Sequence, residues 1–459
     1  MMSTTTTMDA ESPRASDVSS AASAASAALF RNTTGWYLSV SSYWFAVSFK
    51  WFILFLLLPI QVGALVPGGT KNSAWGLVVA LGAAEAMIGP ALFGYWSDRS
   101  RSRWGRRRPF IAVGAALTAL ALLFLGQASA LWMMVAGYLF LQISDDVATG
   151  PYAALVPDLV PEENRGRASG VLSLLQQVAQ IVAAVVGIAL GANFFLIYAS
   201  IAVINIVCAV IVLAAIREPR FVPSAAQEDA WTAAAALAES DGRPGARLAR
   251  GAQRWIAPWR SPDFRWVWFT RFLSAFGFYL ILLYVVNYLT DRVRTFDLVG
   301  GVRLNKPFEA AVAVALIISL TAAVSALLGG RLADRLGRKR VIVLSGWLMF
   351  VVLVPFAFLP IYAAIVPLAA IFGLGYGAYL SASWALAADI LPSAEDTAKD
   401  MGIWQMSVAT PQVLTGLAGL IVDWGNRQQA GLGYTYAFLL AAFAFLGGSV
   451  LVTRVRGSS

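Results

Sequence analysis

Histidine is absent from this 459-residue chain, and cysteine occurs once, at Cys208. Without histidine the chain lacks the commonest metal ligand and the usual proton carrier near neutral pH, so proton chemistry falls to carboxylates. A lone thiol cannot close an internal disulfide, and Cys208, inside an apolar run, reads as a small core residue. Charge is also scarce: Asp, Glu, Lys and Arg make up 13% of the chain against 59% hydrophobic residues. No soluble domain of this length hides so much apolar surface, which leaves a polytopic membrane protein. There is no Walker loop, metal-ligand cluster or nucleophile–base pair. An enzyme, a direct ATP-driven step, a bound metal and a cofactor are therefore not expected. The net charge of +9 comes from arginines gathered in a few loops between apolar runs. That pattern is an orientation signal and a contact with anionic lipid, not a nucleic-acid face.

What is present is a series of apolar runs of about twenty residues, each enough to cross the hydrocarbon core. Six are expected near 38–62, 74–96, 109–129, 131–156, 168–191 and 194–216, and six more near 264–290, 309–332, 340–359, 363–388, 400–423 and 434–454. Ahead of them, residues 1–37, mostly Ser, Thr and Ala, lack a signal-peptide layout and are expected to form a disordered cytoplasmic tail. Residues 217–262 carry seven arginines mixed with Pro, Gly, Ser and acids and read as a cytoplasmic linker. Its Ala-rich piece, 231–240, could form a short interfacial helix. The expected organisation is a bundle over 38–216, the linker, a second bundle over 263–454 and a tail over 455–459.

The two halves repeat one another. After span 2, Asp98 is followed by six arginines up to Arg108, and after span 8 a shorter version reads Asp334-Arg335-Leu336-Gly337-Arg338. Gly105-Arg106 corresponds to Gly337-Arg338. Span 4 closes on Asp158-Leu159-Val160-Pro161 and span 10 on Asp389-Ile390-Leu391-Pro392. Parallel repeats of six spans form a transporter architecture, with the substrate site near mid-membrane between the halves. The basic loops place both termini on the cytoplasmic side.

Charges near the middle of a span are costly, about 3 kcal/mol on insertion scales, and such residues face a cavity or a partner. Lys50 in span 1, Glu85 in span 2, Asp145 and Asp146 in span 4 and Arg271 in span 7 are of this kind. Three acids and two bases can neutralise one another inside a bundle. Adjacent helical positions lie about 100° apart, so Asp145 and Asp146 face different ways. Asp146, nearer the loosened Gly150-Pro151, is the expected protonation site. A static ion pair between Lys50 and an aspartate is the competing explanation, and for Arg271 the competitor is snorkelling towards the cytoplasmic end of its span. Gln176 and Gln180 share a face of span 5, and Gln405 and Gln412 a face of span 11. Amides suit a hydroxyl-rich ligand, and they equally suit bonds between helices. Trp44 in span 1 and Tyr376 in span 10 belong to aromatic clusters suited to stacking on a sugar or to packing.

Twelve spans with Asp-Arg-x-Gly-Arg-Arg loops after spans 2 and 8 resemble the major facilitator superfamily over residues 38–454. The expanded loop from Gly94-Tyr95 to Ile111, with Gly150-Pro151, Ala154-Leu155 and Asp158-Leu159, is similar to plant sucrose–proton symporters and their relatives in the glycoside–cation symporter group. The superfamily resemblance implies an all-α membrane fold of twelve transmembrane helices in two pseudo-symmetric six-helix bundles, working as a monomer by alternating access. It implies a cytoplasmic latch made by Asp98, Arg99, Arg107 and Asp158, with Asp334, Arg335, Arg338 and Asp389 as second-half equivalents. Asp98 is also placed to accept from the N-terminus of a neighbouring helix. In the plant symporters a span 4 carboxylate falls on Gln142 of this chain and two asparagines fall on Asp145 and Asp146, so the acid is displaced rather than absent. The expected function is proton-coupled symport of a sugar or glycoside across the plasma membrane. The alternatives are a proton-coupled exporter of lipophilic or cationic compounds and a transport-inactive sensor or scaffold.

Overall fold

Most of these residues fold as long helices because the membrane interior satisfies backbone polar groups only within a helix or a closed barrel. A computed structural model describes residues 33–153, 155, 159–160, 165–190, 193–216, 218, 232, 257–293, 295–297, 303–389 and 397–456. Span 1 is Thr34–Leu65, starting four residues ahead of its expected boundary, with Thr33 accepting from Trp36 N as an N-cap. Spans 3 to 6 are Arg108–Gly126, Leu131–Ala153, Arg165–Leu190 and Phe194–Ala215. In the second half, span 7 is Pro262–Tyr288, continued by one wide turn to Val293. Spans 8, 9, 10 and 12 are Pro307–Leu336, Arg338–Phe358, Tyr362–Asp389 and Leu432–Val452. A two-residue hairpin, Phe296–Asp297 against Arg303–Leu304, is the only sheet among the described residues. The expected tail and the interfacial helix of the linker lie outside them, and so does Asp158.

Spans 2 and 11 depart from the expected single helices. Span 2 is Lys71–Ala86 followed by Gly89–Asp98, and span 11 is Thr397–Leu417 followed by Gly419–Gln428. In span 2 the break follows from Pro90, which has no N–H to return to Ala86 and whose ring crowds that carbonyl. Nine helices among the described residues are long and apolar enough to cross a membrane by length and composition. The break removes span 2 from that set. Span 4 carries two adjacent aspartates, and the apolar part of span 5 is limited to Leu174–Leu190.

The packing repeats as the sequence does. Span 1 lies against 5 and 6, and span 3 against 4 and 6. Six positions later, span 7 lies against 11 and 12, and span 9 against 10 and 12. The halves meet where span 2 packs on span 11, span 5 on span 8 and span 1 on span 7. The 2–11 crossing is close: a Cβ added to Gly76 would fall 1.9 Å from the Gly416 carbonyl oxygen. Small residues permit such backbone contact between membrane helices.

The repeated basic loops share a backbone feature. Gly105 has φ +101° and Gly337 has φ +90°, a conformation that side chains rarely adopt. At Gly105 a Cβ would also lie 2.4 Å from Cβ of Glu218. Gly105→Ala is therefore expected to destabilise the fold by about 1–3 kcal/mol, seen as a lower melting temperature in detergent. An unchanged melting temperature would show that the loop has no need of its glycine.

Candidate functional site: a charged cluster beside a central cavity

The mid-span charges separate into two groups. Lys50 is fully buried and pairs with Asp145 Oδ1. The other oxygen of Asp145 accepts from Trp51 Nε1 at 3.1 Å. Asp146, one position on and only 8% exposed, turns the other way and meets Glu85 of span 2 in a side-chain hydrogen bond. Both carboxyl groups lie beside Gly89, at the break in span 2. Glu85 Oε2 and Asp146 Oδ2 are buried and find no donor among the described residues. Two carboxyl groups in contact cannot both stay ionised at low cost, so this geometry is that of a pair holding one proton.

Arg271 does not join this cluster, contrary to the expectation that five charges neutralise one another. Span 7 carries it into the second half, where it is 7% exposed. Its guanidinium stacks 3.7 Å over the Trp404 ring, and Nη1 lies 3.5 Å from Ser383 Oγ. It has not snorkelled to an aqueous end. Stacking on an aromatic face suits a weakly hydrated guanidinium inside the bundle.

Between the halves lies a cavity of about 380 Å³, within the usual range for small-molecule sites. Trp44, Trp51, Gln176 and Gln180 line it from the first half, and spans 7 to 10 close it from the second. Gln180 Oε1 accepts from Ser319 Oγ at 2.8 Å across the divide. Two expected ligand residues lie elsewhere. Gln412 sits outside the wall, with Nε2 3.4 Å from the Val408 carbonyl of its own helix. Tyr376 stands behind the wall, stacked on Phe278 at 4.4 Å and 4° and on Phe372 at 6.0 Å and 12°. The side chain of Gln405 lies outside the described residues.

At the end bearing the arginine loops, Asp98 Oδ1 binds Arg107 Nη1 at 2.9 Å. Among the described residues Asp98 caps no neighbouring helix. That role falls to Glu218, beyond span 6, whose Oε2 accepts from Arg107 N at 2.8 Å and Arg108 N at 3.3 Å. A carboxylate there satisfies the first amides of span 3. Arg99 stacks 3.5 Å over Tyr95 of its own helix. In the second repeat Arg335 is exposed and Arg338 half-buried, while the side chains of Asp334 and Asp389 lie outside the described residues.

The opposite end holds a polar junction that the sequence did not single out. Thr70 leaves the N-terminus of span 2 without a side-chain cap, and Asp423 of span 11 supplies one from the other half. Its oxygens accept from Asn72 N at 3.3 Å, Ser73 N at 2.7 Å and Asn72 Nδ2 at 2.8 Å, and from the Ser73 hydroxyl. Asn287 Nδ2 donates to Asn72 Oδ1 at 2.8 Å. Asp291 binds Lys71 Nζ at 2.5 Å and accepts from the Tyr434 hydroxyl at 2.5 Å. An acid inside the apolar run Leu420-Ile421-Val422-Asp423-Trp424 was the available signal. It lay at the expected end of span 11, where an acid passes for a loop residue.

A sequence profile of the Major Facilitator Superfamily matches residues 44–318 and 304–458. The chain belongs to that superfamily; it is a multi-pass membrane transporter and not an enzyme. Over 163 residues it is 30% identical to sucrose transport protein SUC4 of Arabidopsis thaliana, which covers 31% of each chain. The match thus spans about a third of that relative's length. Among solved structures, the chain is similar to the nucleoside transporter NupG, with TM-score 0.67 and 14% identity over 92% of this chain and 98% of that one. It is also similar to a bacterial homologue of the human lysosomal transporter Spinster in its inward-facing, unoccupied conformation, with TM-score 0.64 and 16% identity over 92% and 94%. At such identities the likeness concerns the fold alone.

Proposed function

We propose that this protein is a proton-coupled sugar or glycoside symporter working by alternating access. Trp51 carries the proposal: its ring lines the cavity, and its indole N–H is bonded to Asp145, partner of Lys50. A ligand pressing on that ring acts directly on the charged cluster. Asp145 is pinned by Lys50, and the neighbouring Glu85–Asp146 pair carries the proton. Losing it leaves two buried carboxylates in contact and favours a different packing at the hinge in span 2. Glu85 is only half-buried, which gives the pair a way to exchange with water.

With the arginine loops cytoplasmic by the positive-inside rule, the Asp423 junction closes the outer face and the conformation is inward-facing. Both termini are then cytoplasmic and the plasma membrane is the expected location, with a monomer as the working unit. Asp98, Arg99 and Arg107, with Asp158 and the second-repeat residues Asp334, Arg335, Arg338 and Asp389, would latch the cytoplasmic side in the opposite state. Export of lipophilic compounds is the second possibility, favoured by the apolar wall of spans 7 to 10. A cationic substrate fits less well, since no acidic side chain lines the cavity among the described residues.

The test is uptake into proteoliposomes under an imposed pH gradient, acid outside. Accumulation that a protonophore collapses is expected for a glycoside, and equal uptake with and without the gradient would reject proton coupling. Trp51→Phe keeps an aromatic ring in the wall, though a smaller one, and removes the indole N–H. Half-saturation should stay within about threefold, the scale of a ring contact retained, while the gradient-driven accumulation ratio falls roughly tenfold for loss of a bond to a charged group. An unaltered ratio would show that Trp51 does not link cavity and cluster.

A further inference from the structure

Span 11 leaves a groove on the outside of the bundle. Its second piece, Gly419–Gln428, packs on spans 2 and 12. At one end the contact with span 12 is backbone to backbone. A Cβ on Gly433 would lie 1.9 Å from the Val422 carbonyl oxygen, and one on Gly425 would lie 2.7 Å from Cα of Gly433. Further towards mid-membrane the two helices part. Ala418, Ile421 and Val422 on one side and Tyr436, Ala437 and Leu440 on the other then line a groove of about 220 Å³. Apart from the Tyr436 hydroxyl, these side chains are apolar. Leu417, Leu420 and Phe443 on the same two spans are exposed, so the groove opens on a surface that faces hydrocarbon.

The residues beyond the groove point to its occupant. Trp424 and Tyr436, both exposed, stack at 6.4 Å and 25° at the rim, and Trp and Tyr gather at the level of lipid headgroups. Arg427 is exposed and lies six residues beyond Ile421, about 9 Å further along the helix. Groove, aromatic pair and guanidinium thus follow the order of acyl chain, glycerol backbone and phosphate. We propose that a phospholipid of the leaflet opposite the arginine loops seats one acyl chain in this groove, with its phosphate at Arg427, and so holds that face of the transporter closed. The lever is short. Val422 in the groove is followed by Asp423, whose carboxylate caps span 2. Gly419 lies against span 2 itself, where a Cβ would fall 2.3 Å from the Asn72 carbonyl oxygen. Arg427 Nη2 donates to the Gly69 carbonyl of the other half at 3.3 Å. A guanidinium has five N–H donors, so it can hold that carbonyl and a phosphate together. An empty groove lets Gly419–Gln428 lean away from span 2, and a filled one supports it from behind. This clamp requires the alternation of faces proposed above, whatever substrate is carried.

The first experiment places the unmodified protein in phosphatidylcholine–phosphatidylglycerol liposomes that include a phosphatidylcholine with a photoreactive diazirine in one acyl chain. After illumination, peptide mapping should find the label on Ile421, Val422, Ala437 and Leu440 at roughly five times the level on Leu344 and Val351, exposed residues of span 9. Ala437→Phe fills the groove and should remove that enrichment, and Arg427→Gln should reduce it. Label spread evenly over exposed residues, or cross-links into a second copy of the chain, would overturn the seat. The second experiment reads closure. Spin labels are attached through Gly68→Cys and Gln429→Cys in a Cys208→Ser background, one on each half at the face in question. Stripping lipid in detergent should raise the population at long distance roughly fivefold, and returning phosphatidylcholine should reverse it. With Ala437→Phe added, the short distance should persist with or without lipid, because the ring stands in for the chain. Enriched cross-linking together with distances that ignore lipid would overturn the clamp. A single distance that no lipid, substrate or pH alters would count against alternating access itself, and an even spread of label would leave alternating access standing.

Discussion

Asp146→Asn is expected to abolish proton-driven accumulation while leaving a folded protein that still exchanges substrate across the membrane. Asparagine is nearly the same size as aspartic acid and can still hydrogen-bond to Glu85, so it imitates the protonated pair. It has no proton to release, and the step that resets the cycle without substrate loses its driving force. The accumulation ratio should fall to one, with substrate counterflow kept within a few fold. Glu85→Gln should behave alike. Asp145→Asn should differ in kind, because it strands Lys50 in the bundle. Removing one partner of a buried ion pair costs about 3–5 kcal/mol, so that variant should be poorly folded. If Asp145→Asn is stable and uncoupled while Asp146→Asn accumulates substrate normally, the two roles are reversed.

Gly76→Val is expected to prevent closure of the face opposite the arginine loops. A Cβ there would lie 1.9 Å from a backbone carbonyl oxygen of Gly416, and one on Gly416 would lie 2.3 Å from the oxygen of Gly76. Neither backbone can yield without separating spans 2 and 11. The same junction relies on Asp423, only 3% exposed, as the cap of span 2. Asp423→Ala removes the acceptor from two amides and two side chains. At about 1.5–3 kcal/mol for each bond to a charged group, even one such loss shifts the balance of conformations tenfold or more. Cysteine labelling reads this directly. In a Cys208→Ser background, a cavity cysteine at Phe55 should become at least tenfold more accessible from that face in either variant, and net transport should fall. Unchanged labelling in both variants would mean that the junction does not govern closure.

The fold was legible because membrane helices announce themselves by length and by the charge of their loops, and because the Asp98 and Asp334 loops betray a repeat. Lys50, Glu85, Asp145 and Asp146 were legible because charge is so costly at mid-span that each needs a reason. The 100° turn between Asp145 and Asp146 foretold that they serve different partners, but not that Lys50 takes the first and Glu85 the second. In sequence Arg271 groups with them because its depth in a span does not say what its side chain faces. Gln412 lies outside the cavity wall for a related reason: a shared helical face is visible in sequence, but what that face looks at is not. The Asp423 junction and the Glu218 cap were missed because each joins segments far apart in the chain, and a helix cap supplied from another span leaves no local pattern. The break at Pro90 had a local signal in the Gly89-Pro90 pair, yet the apolar run around it reads as continuous.

The most direct measurement is the pH of a weakly buffered suspension of proteoliposomes when phenyl β-glucoside is added with no gradient imposed. A proton–glycoside symporter carries protons inward with its substrate, so the medium should become alkaline, and the change should vanish in Asp146→Asn and with protonophore present. Uptake of the glucoside with no change in pH, or acidification of the medium, would contradict symport through the Glu85–Asp146 pair.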